Sequence, residues 1–287
     1  MHFVQAKSLL TKWNGMNIYR GCSHGCIYCD SRSDCYQMNH PFEDIEVKEN
    51  ASELLEKILR SKRSRIVIGT GSMSDPYQHC EKDLGLMRKC LELIDRYEFG
   101  ASVITKSDLV LRDIDLFDSI NRKAKSVLQM SLTVAGDALS RLIEPNVCPT
   151  SRRFEVLGKF SARGIPAVVW LSPVLPFLTD TEQNLRTILN YCADADVKGI
   201  VCFGMGMTLR RGNREYYYRA LDRHFPGLSR RYRSSYGNAY ALNSPDNARL
   251  MKIFHTFCEQ RGILHSPDDC FRFIAEIPDR QMSLFDL

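Results

Sequence analysis

From Gly15 to Gly206 the chain alternates between short apolar segments and amphipathic ones, and this alternation limits the fold more than any other feature. The β-prone segments are GMNIY (15–19), RIVIGTG (65–71), ASVITK (101–106), SVLQMSLT (126–133), PAVVWLSPV (166–174) and KGIVCFGMG (198–206). Helical spacing runs through 52–61 (Leu54, Leu55, Ile58, Leu59) and through 81–100 (Leu84, Met87, Leu91, Ile94), where Gly100 is a plausible stop. Further helices are expected at 111–124, at 150–164 opening at Thr150 or Ser151, and at 179–195 capped by Asp180 or Thr181. Strands that alternate with helices imply a parallel sheet, curled or open. A length of 287 residues suits one α/β barrel with an appendage, and 44% hydrophobic residues supply its core. After residue 206 the strand pattern stops, and helices are expected at 214–225, 244–262 and 267–275. The expected division is a βα body at 1–208, a helical extension at 209–277 and a flexible tail at 278–287.

The N-terminal MHFVQAKSLLTKW has no charged leader before an apolar run, so no secretory signal is expected. The longest apolar stretch, AVVWLSPVLPFL, contains Pro173 and Pro176 and is too short to span a bilayer. A cytoplasmic location without membrane contact is therefore expected. In that reducing compartment the 11 cysteines are not expected to form disulfides. Cys35, Cys80, Cys90, Cys148, Cys192, Cys202, Cys258 and Cys270 are scattered and read as small hydrophobes. Cys22, Cys26 and Cys29 differ: GCSHGCIYCD (21–30) spaces them as Cys-x3-Cys-x2-Cys, directly after the first strand. In parallel α/β folds ligands sit at the C-terminal ends of the strands, where this loop must lie. A dithiol redox motif would use Cys26 and Cys29 and leave Cys22 unexplained. A structural zinc needs a fourth ligand, which Cys35, His24 or His40 could supply. An iron–sulfur cluster also takes thiolates at such spacings, and three of them leave one iron open.

The spacing, with Tyr28 before the last cysteine, resembles the signature of the radical S-adenosylmethionine (SAM) superfamily. The strand–helix pattern is similar to that superfamily's partial (β/α)6 TIM barrel, here with a C-terminal helical extension. The words NIYRGCSHGCIYC, SDPYQ, ITKSDLVLRD, SLT and IEP resemble the spore photoproduct lyase-related group within it, over about residues 14–180. The resemblance implies that Cys22, Cys26 and Cys29 bind three irons of a [4Fe–4S] cluster and that SAM chelates the fourth. An electron passed to the sulfonium would then release a 5′-deoxyadenosyl radical, with flavodoxin or ferredoxin as electron donor. Carried over by position, Ser74, Lys106 and Ser131 would contact SAM, and Tyr28 would pack near the adenine. Glu144 and Arg153 are weaker candidates, either of which could be half of a structural ion pair. The lyase's cysteine hydrogen donor aligns with Ser72, and serine O–H is a far poorer hydrogen-atom donor than cysteine S–H. Tyr77 and Cys80 are the other candidates for that role.

Net charge is a mild +5, but Leu209 to Arg233 holds eight arginines against Glu215 and Asp222. Within 209–240 these arginines interleave with Tyr216, Tyr217, Tyr218, Tyr232 and Tyr236, which makes nucleic acid a candidate partner. Near the C-terminus, Gln281, Leu284 and Phe285 lie in QMSLF, which resembles the peptide that docks bacterial repair proteins on the DNA sliding clamp. The leading expectation is a radical SAM enzyme acting on nucleic acid, as a repair-like lyase or a modifying enzyme. The alternatives are a radical SAM enzyme for a peptide or small molecule, and a non-catalytic metal-bound binding module.

Overall fold

The computed structural model describes residues 1–278. The QMSLF peptide lies outside them. Six strands form one all-parallel sheet in sequence order: β1 (Gly15–Met16), β2 (Val67–Thr70), β3 (Gly100–Thr105), β4 (Ser126–Ser131), β5 (Ala167–Trp170) and β6 (Gly199–Val201). Each strand pairs with the next, for example Thr105 opposite Met130 and Ser131 opposite Trp170. The main crossover helices are α1 (Ala51–Ser61), α2 (Leu86–Arg96), α3 (Ile114–Lys123), α4 (Thr150–Ser161) and α5 (Glu182–Asp194). In α1, Ala51, Leu55 and Leu59 are buried at a spacing of four, which lays one stripe on the core. Thr181 caps α5 by accepting from the Asn184 N–H at 3.2 Å.

Successive strand residues face opposite ways. Ala101, Val103, Leu128, Met130, Ala167, Val169 and Ile200 join the main core with residues of the crossover helices. Val127, Val168 and Val201 form a second cluster with Cys270 of the last described helix, Pro267–Ala275. Ser102, Gln129, Ser131 and Trp170 continue this second face toward the C-terminal strand ends. Two of its polar residues, Ser102 and Gln129, are buried and joined to the half-buried Trp170: Trp170 Nε1 donates to Gln129 at 2.7 Å, and Gln129 Nε2 donates to Ser102 at 2.5 Å.

Several elements depart from expectation. GMNIY is not one strand: Gly15–Met16 enters the main sheet, while Tyr19–Arg20 pairs with Glu46–Lys48 in a separate sheet that also holds His2–Val4. The 81–100 helix breaks at Gly85, which adopts φ +62°. Buried Glu81 enforces the break, because both its carboxylate oxygens accept the Met87 N–H at 3.0 Å. The helix expected at 111–124 begins as a 3-10 turn over Asp108–Asp113. Two helices, Asp137–Ile143 and Leu228–Tyr236, were not expected. The boundary expected after residue 208 lies beside Gly206–Thr208, a strand that pairs antiparallel with Ala241–Asn243 of the extension. Among the described residues no helix is long and apolar enough to cross a membrane.

Candidate functional site

The cysteine loop is held by residues remote in sequence. Cys22 N–H donates to Phe42 O at 3.1 Å and Ile27 N–H to Ile143 O at 2.9 Å. Ser23 N–H donates to Gln78 Oε1 at 3.0 Å, and Asn146 Nδ2 donates to Ser23 O at 2.9 Å. Gly21 sits at φ +83°, and a Cβ there would lie 2.4 Å from Phe42 O, so only glycine fits. Gly71 is equally constrained after β2, where a Cβ would lie 2.0 Å from Ile104 O.

The loop delivers all three thiols to one cavity of about 100 Å³ at the C-terminal ends of the strands. Cys22, Cys26 and Cys29 line it together with Ser74, Lys106 and Ser131. Burial pushes the Cys22 thiol up to about 12, with the Asp75 charge adding to it, and burial pushes Cys26 up as well. Without metal, Cys22 and Cys26 therefore hold their protons, and ligation must release them. A single zinc would draw its sulfurs to within about 4 Å of one another, given Zn–S bonds of about 2.3 Å. Among the described residues, the ligand set with three donors within 4.8 Å is His2, His40 and Asp44, not the cysteines. Three thiols at one cavity suit a cluster in which each sulfur binds its own iron. Of the three candidates for a fourth zinc ligand, His24 lines this cavity, whereas Cys35, exposed beside Arg210, and His40, beside His2, do not.

The remaining expected contacts fall into two groups. Lys106 lines both this cavity and a neighbouring one of about 540 Å³. Burial works against its charge, but Glu144 and, once ligation has deprotonated it, Cys26 outweigh burial and raise its pKa, so the ammonium is retained. Ser131 is buried at the end of β4. Tyr28 lines the larger cavity, with its hydroxyl donated to Glu144 and its ring 5.9 Å from Lys106 Nζ. Ser74 lines the smaller cavity, but its hydroxyl proton goes to Gly21 O at 2.6 Å, which braces the cysteine loop. Glu144 and Arg153 are partners in one fully buried ion pair. Burial raises the Glu144 pKa, but Arg153 and Lys106 outweigh it and hold the carboxyl below the usual range.

The three hydrogen-donor candidates are separated. Ser72 lines both cavities. Tyr77 and Cys80 line neither, because the Tyr77 hydroxyl is committed to Asp113 at 3.0 Å and Cys80 precedes the short helix Glu81–Leu84. Sequence reasoning missed Asp75, which accepts from Thr105 Oγ1, Lys106 N–H and Tyr77 N–H at 2.8 Å each and lies 3.4 Å from His24 Nδ1. Gln78, fully buried between Ser23 and Ser74, was missed too. The signal for both lay in SDPYQ, which carried them without a stated role.

In the arginine–tyrosine segment the tyrosines are largely internal and most arginines are exposed. Tyr217, Tyr218 and Tyr232 are buried together. Arg210 bonds Asp30, Tyr36 and Tyr240, Arg211 pairs with Asp34, and Arg214 donates to Leu209 O and Ala239 O. Arg219, Arg223 and Arg230 are exposed.

A family model, the radical SAM superfamily, matches residues 16–191. An uncharacterized protein of Mycobacterium tuberculosis is 31% identical over 229 residues, covering 77% of this chain and 66% of the relative. An uncharacterized protein of Methanocaldococcus jannaschii is 35% identical over 171 residues, covering 58% and 62%. The chain thus spans just under two thirds of these curated relatives. Spore photoproduct lyase complexed with dinucleoside spore photoproduct superposes with TM-score 0.65 at 14% identity, over 92% of this chain and 80% of that one. A mutant of that lyase with bound AdoMet gives TM-score 0.62 at 14% identity, over 86% and 74%. At this identity the superpositions speak for the fold, a partial TIM barrel. The family match covers more than half of the chain: it belongs to the radical SAM superfamily, whose enzymes use a [4Fe–4S] cluster and S-adenosylmethionine and commonly draw electrons from flavodoxin or ferredoxin.

Proposed function

We propose that the protein is a radical SAM enzyme acting on nucleic acid, with Cys22, Cys26 and Cys29 each binding one iron and the fourth iron left to the methionyl group of SAM. One observation carries the ligand assignment: three thiols from one braced loop reach one cavity at the strand ends. When bound, cluster and SAM together supply reductive cleavage of the sulfonium and a 5′-deoxyadenosyl radical. The chain's own residues bind, orient and exclude water. Lys106 offers a retained ammonium to the SAM carboxylate, and Ser131 offers a hydroxyl from the next strand. Tyr28, held by Glu144, presents its ring to the larger cavity for the adenine. Ser74 acts through Gly21, fixing the loop that carries the thiols, and keeps an oxygen at the cavity.

The extension, residues 209–277, is proposed as the substrate-facing part. Arg219, Arg223 and Arg230 are exposed on it, and the exposed Arg231 and Arg233 lie over the rings of Phe177 and Tyr218. Guanidinium groups so placed suit a phosphate backbone. The dinucleoside bound by the structurally similar lyase belongs to the same substrate class. A cysteine-dependent return of hydrogen, as in that lyase, is not part of the proposal, since Ser72 stands at the cavity instead. The test is anaerobic reconstitution followed by SAM, reductant and DNA or RNA. Release of 5′-deoxyadenosine above the nucleic-acid-free rate is expected, and equal release with and without nucleic acid would contradict the substrate class.

A further inference from the structure

An aromatic patch stands open at the cavity mouth. Trp170, at the end of β5, and Phe203, just after β6, both line the 540 Å³ cavity that shares Cys29, Ser72 and Lys106 with the thiol cavity. Phe271 completes the group, with ring centroids 5.9–6.2 Å apart. Phe203 is 64% exposed and Phe271 38% exposed. Packing does not explain a phenylalanine so exposed at the rim of a reaction cavity, and contiguous exposed apolar surface marks recognition sites. The Trp170 ring is not free to turn, because its Nε1 is held by Gln129, itself held by Ser102. The patch thus offers a fixed ring and an exposed one, with Lys106, Thr208 and Asn243 as polar neighbours in the same cavity.

We infer that Trp170 and Phe203 form a stacking ledge for one unpaired nucleobase, presented to the reaction cavity next to the SAM site. The inference rests on the nucleic-acid reading above and deepens it. Flat rings favour a flat heterocycle, and base–aromatic stacking tolerates any base. The cavity has the size of a small-ligand site, far too small for a duplex, so the target base must leave its stack.

The chain has two tryptophans, and Trp13 is 81% exposed in a different cavity, with Val67 at the start of β2 and Pro278. W13F therefore leaves Trp170 as the single indole reporter. In the reconstituted W13F protein, a fluorescein-labelled single-stranded 12-mer of DNA or RNA reports binding by anisotropy, and an unlabelled one reports on Trp170 emission. Saturable quenching of Trp170 over the concentration range of binding is expected. Phe203→Ala should weaken binding about tenfold. Phe203→Tyr should restore it and Phe203→Leu should not, which separates ring stacking from bulk. Binding with unchanged Trp170 emission and equal affinities for the Phe203 variants would overturn the ledge and leave the nucleic-acid reading standing. A duplex that quenches as well as the single strand would overturn the need for an unpaired base. No binding of any oligonucleotide would overturn the nucleic-acid reading itself, and the ledge with it.

Discussion

The cysteine loop at 21–30 and the arginine–tyrosine segment at 209–240 both stand out as clusters of one chemistry, and the fold treats them in opposite ways. The loop gathers its thiols into one cavity, with five remote residues, Phe42, Ser74, Gln78, Ile143 and Asn146, holding its backbone or its glycine in place. The segment disperses its side chains: Tyr217, Tyr218 and Tyr232 enter a core, Arg210 and Arg211 pair with Asp30 and Asp34 of the body, and Arg214 binds within the extension. Thiols with three and two residues between them in a loop stay neighbours whatever the rest of the chain does. Arginines and tyrosines spread over helices point in several directions, and burial selects among them. Spacing within a loop therefore predicts a site better than local abundance along a helix.

The comparison can be broken most severely at the loop. Replacing Cys26 by Ala should remove nearly all cluster iron and all SAM-dependent 5′-deoxyadenosine, whereas Cys192→Ala, at an equally buried position, should leave iron content unchanged. Iron assay and product chromatography check both; equal iron loss would erase the distinction between the thiols. The next largest effect concerns the pair behind the loop. Arg153→Met strands the Glu144 carboxylate in a fully buried position and should cost about 3–5 kcal/mol in denaturant unfolding. In the segment, Arg219, Arg223 and Arg230 replaced together by Gln should lower oligonucleotide affinity and flatten its salt dependence by about 0.7 per lost phosphate contact. Arg210→Gln should instead lower stability, since Arg210 bridges Asp30, Tyr36 and Tyr240. The smallest effect is on acid stability. The Glu144 carboxyl is held below its ordinary range when folded, so its contribution is present at neutral pH and lost as pH falls through that depressed value. Circular dichroism under acid titration should show a shallower decline in Glu144→Gln than in the parent.

The barrel was legible because its signal is repeated: six apolar segments at the right intervals, all six found in one parallel sheet in sequence order. That the three thiols meet was legible from their spacing, and that Lys106 and Ser131 stand beside them followed from the resemblance that carried them to strand ends. What escaped depends on contacts between distant residues. Glu81 breaks a helix that periodicity extends through Gly85, because its carboxylate caps Met87. Ser74 looks like a ligand contact and also fastens Gly21, which no pattern along the chain reveals. Asp75 organises Thr105, Lys106 and His24 from a turn whose polarity is unremarkable in sequence. Trp170 and Phe203 read as strand and turn hydrophobes, and only the fold places them at one mouth.

The central claim is that the loop holds a cluster with one iron reserved for SAM. The most direct measurement is the electron paramagnetic resonance spectrum of the anaerobically reconstituted, reduced protein before and after SAM is added, with metal analysis of the same sample. The account predicts about four irons per chain and a signal that shifts on SAM addition. A colourless protein carrying one zinc per chain, with no SAM-dependent signal, would contradict it.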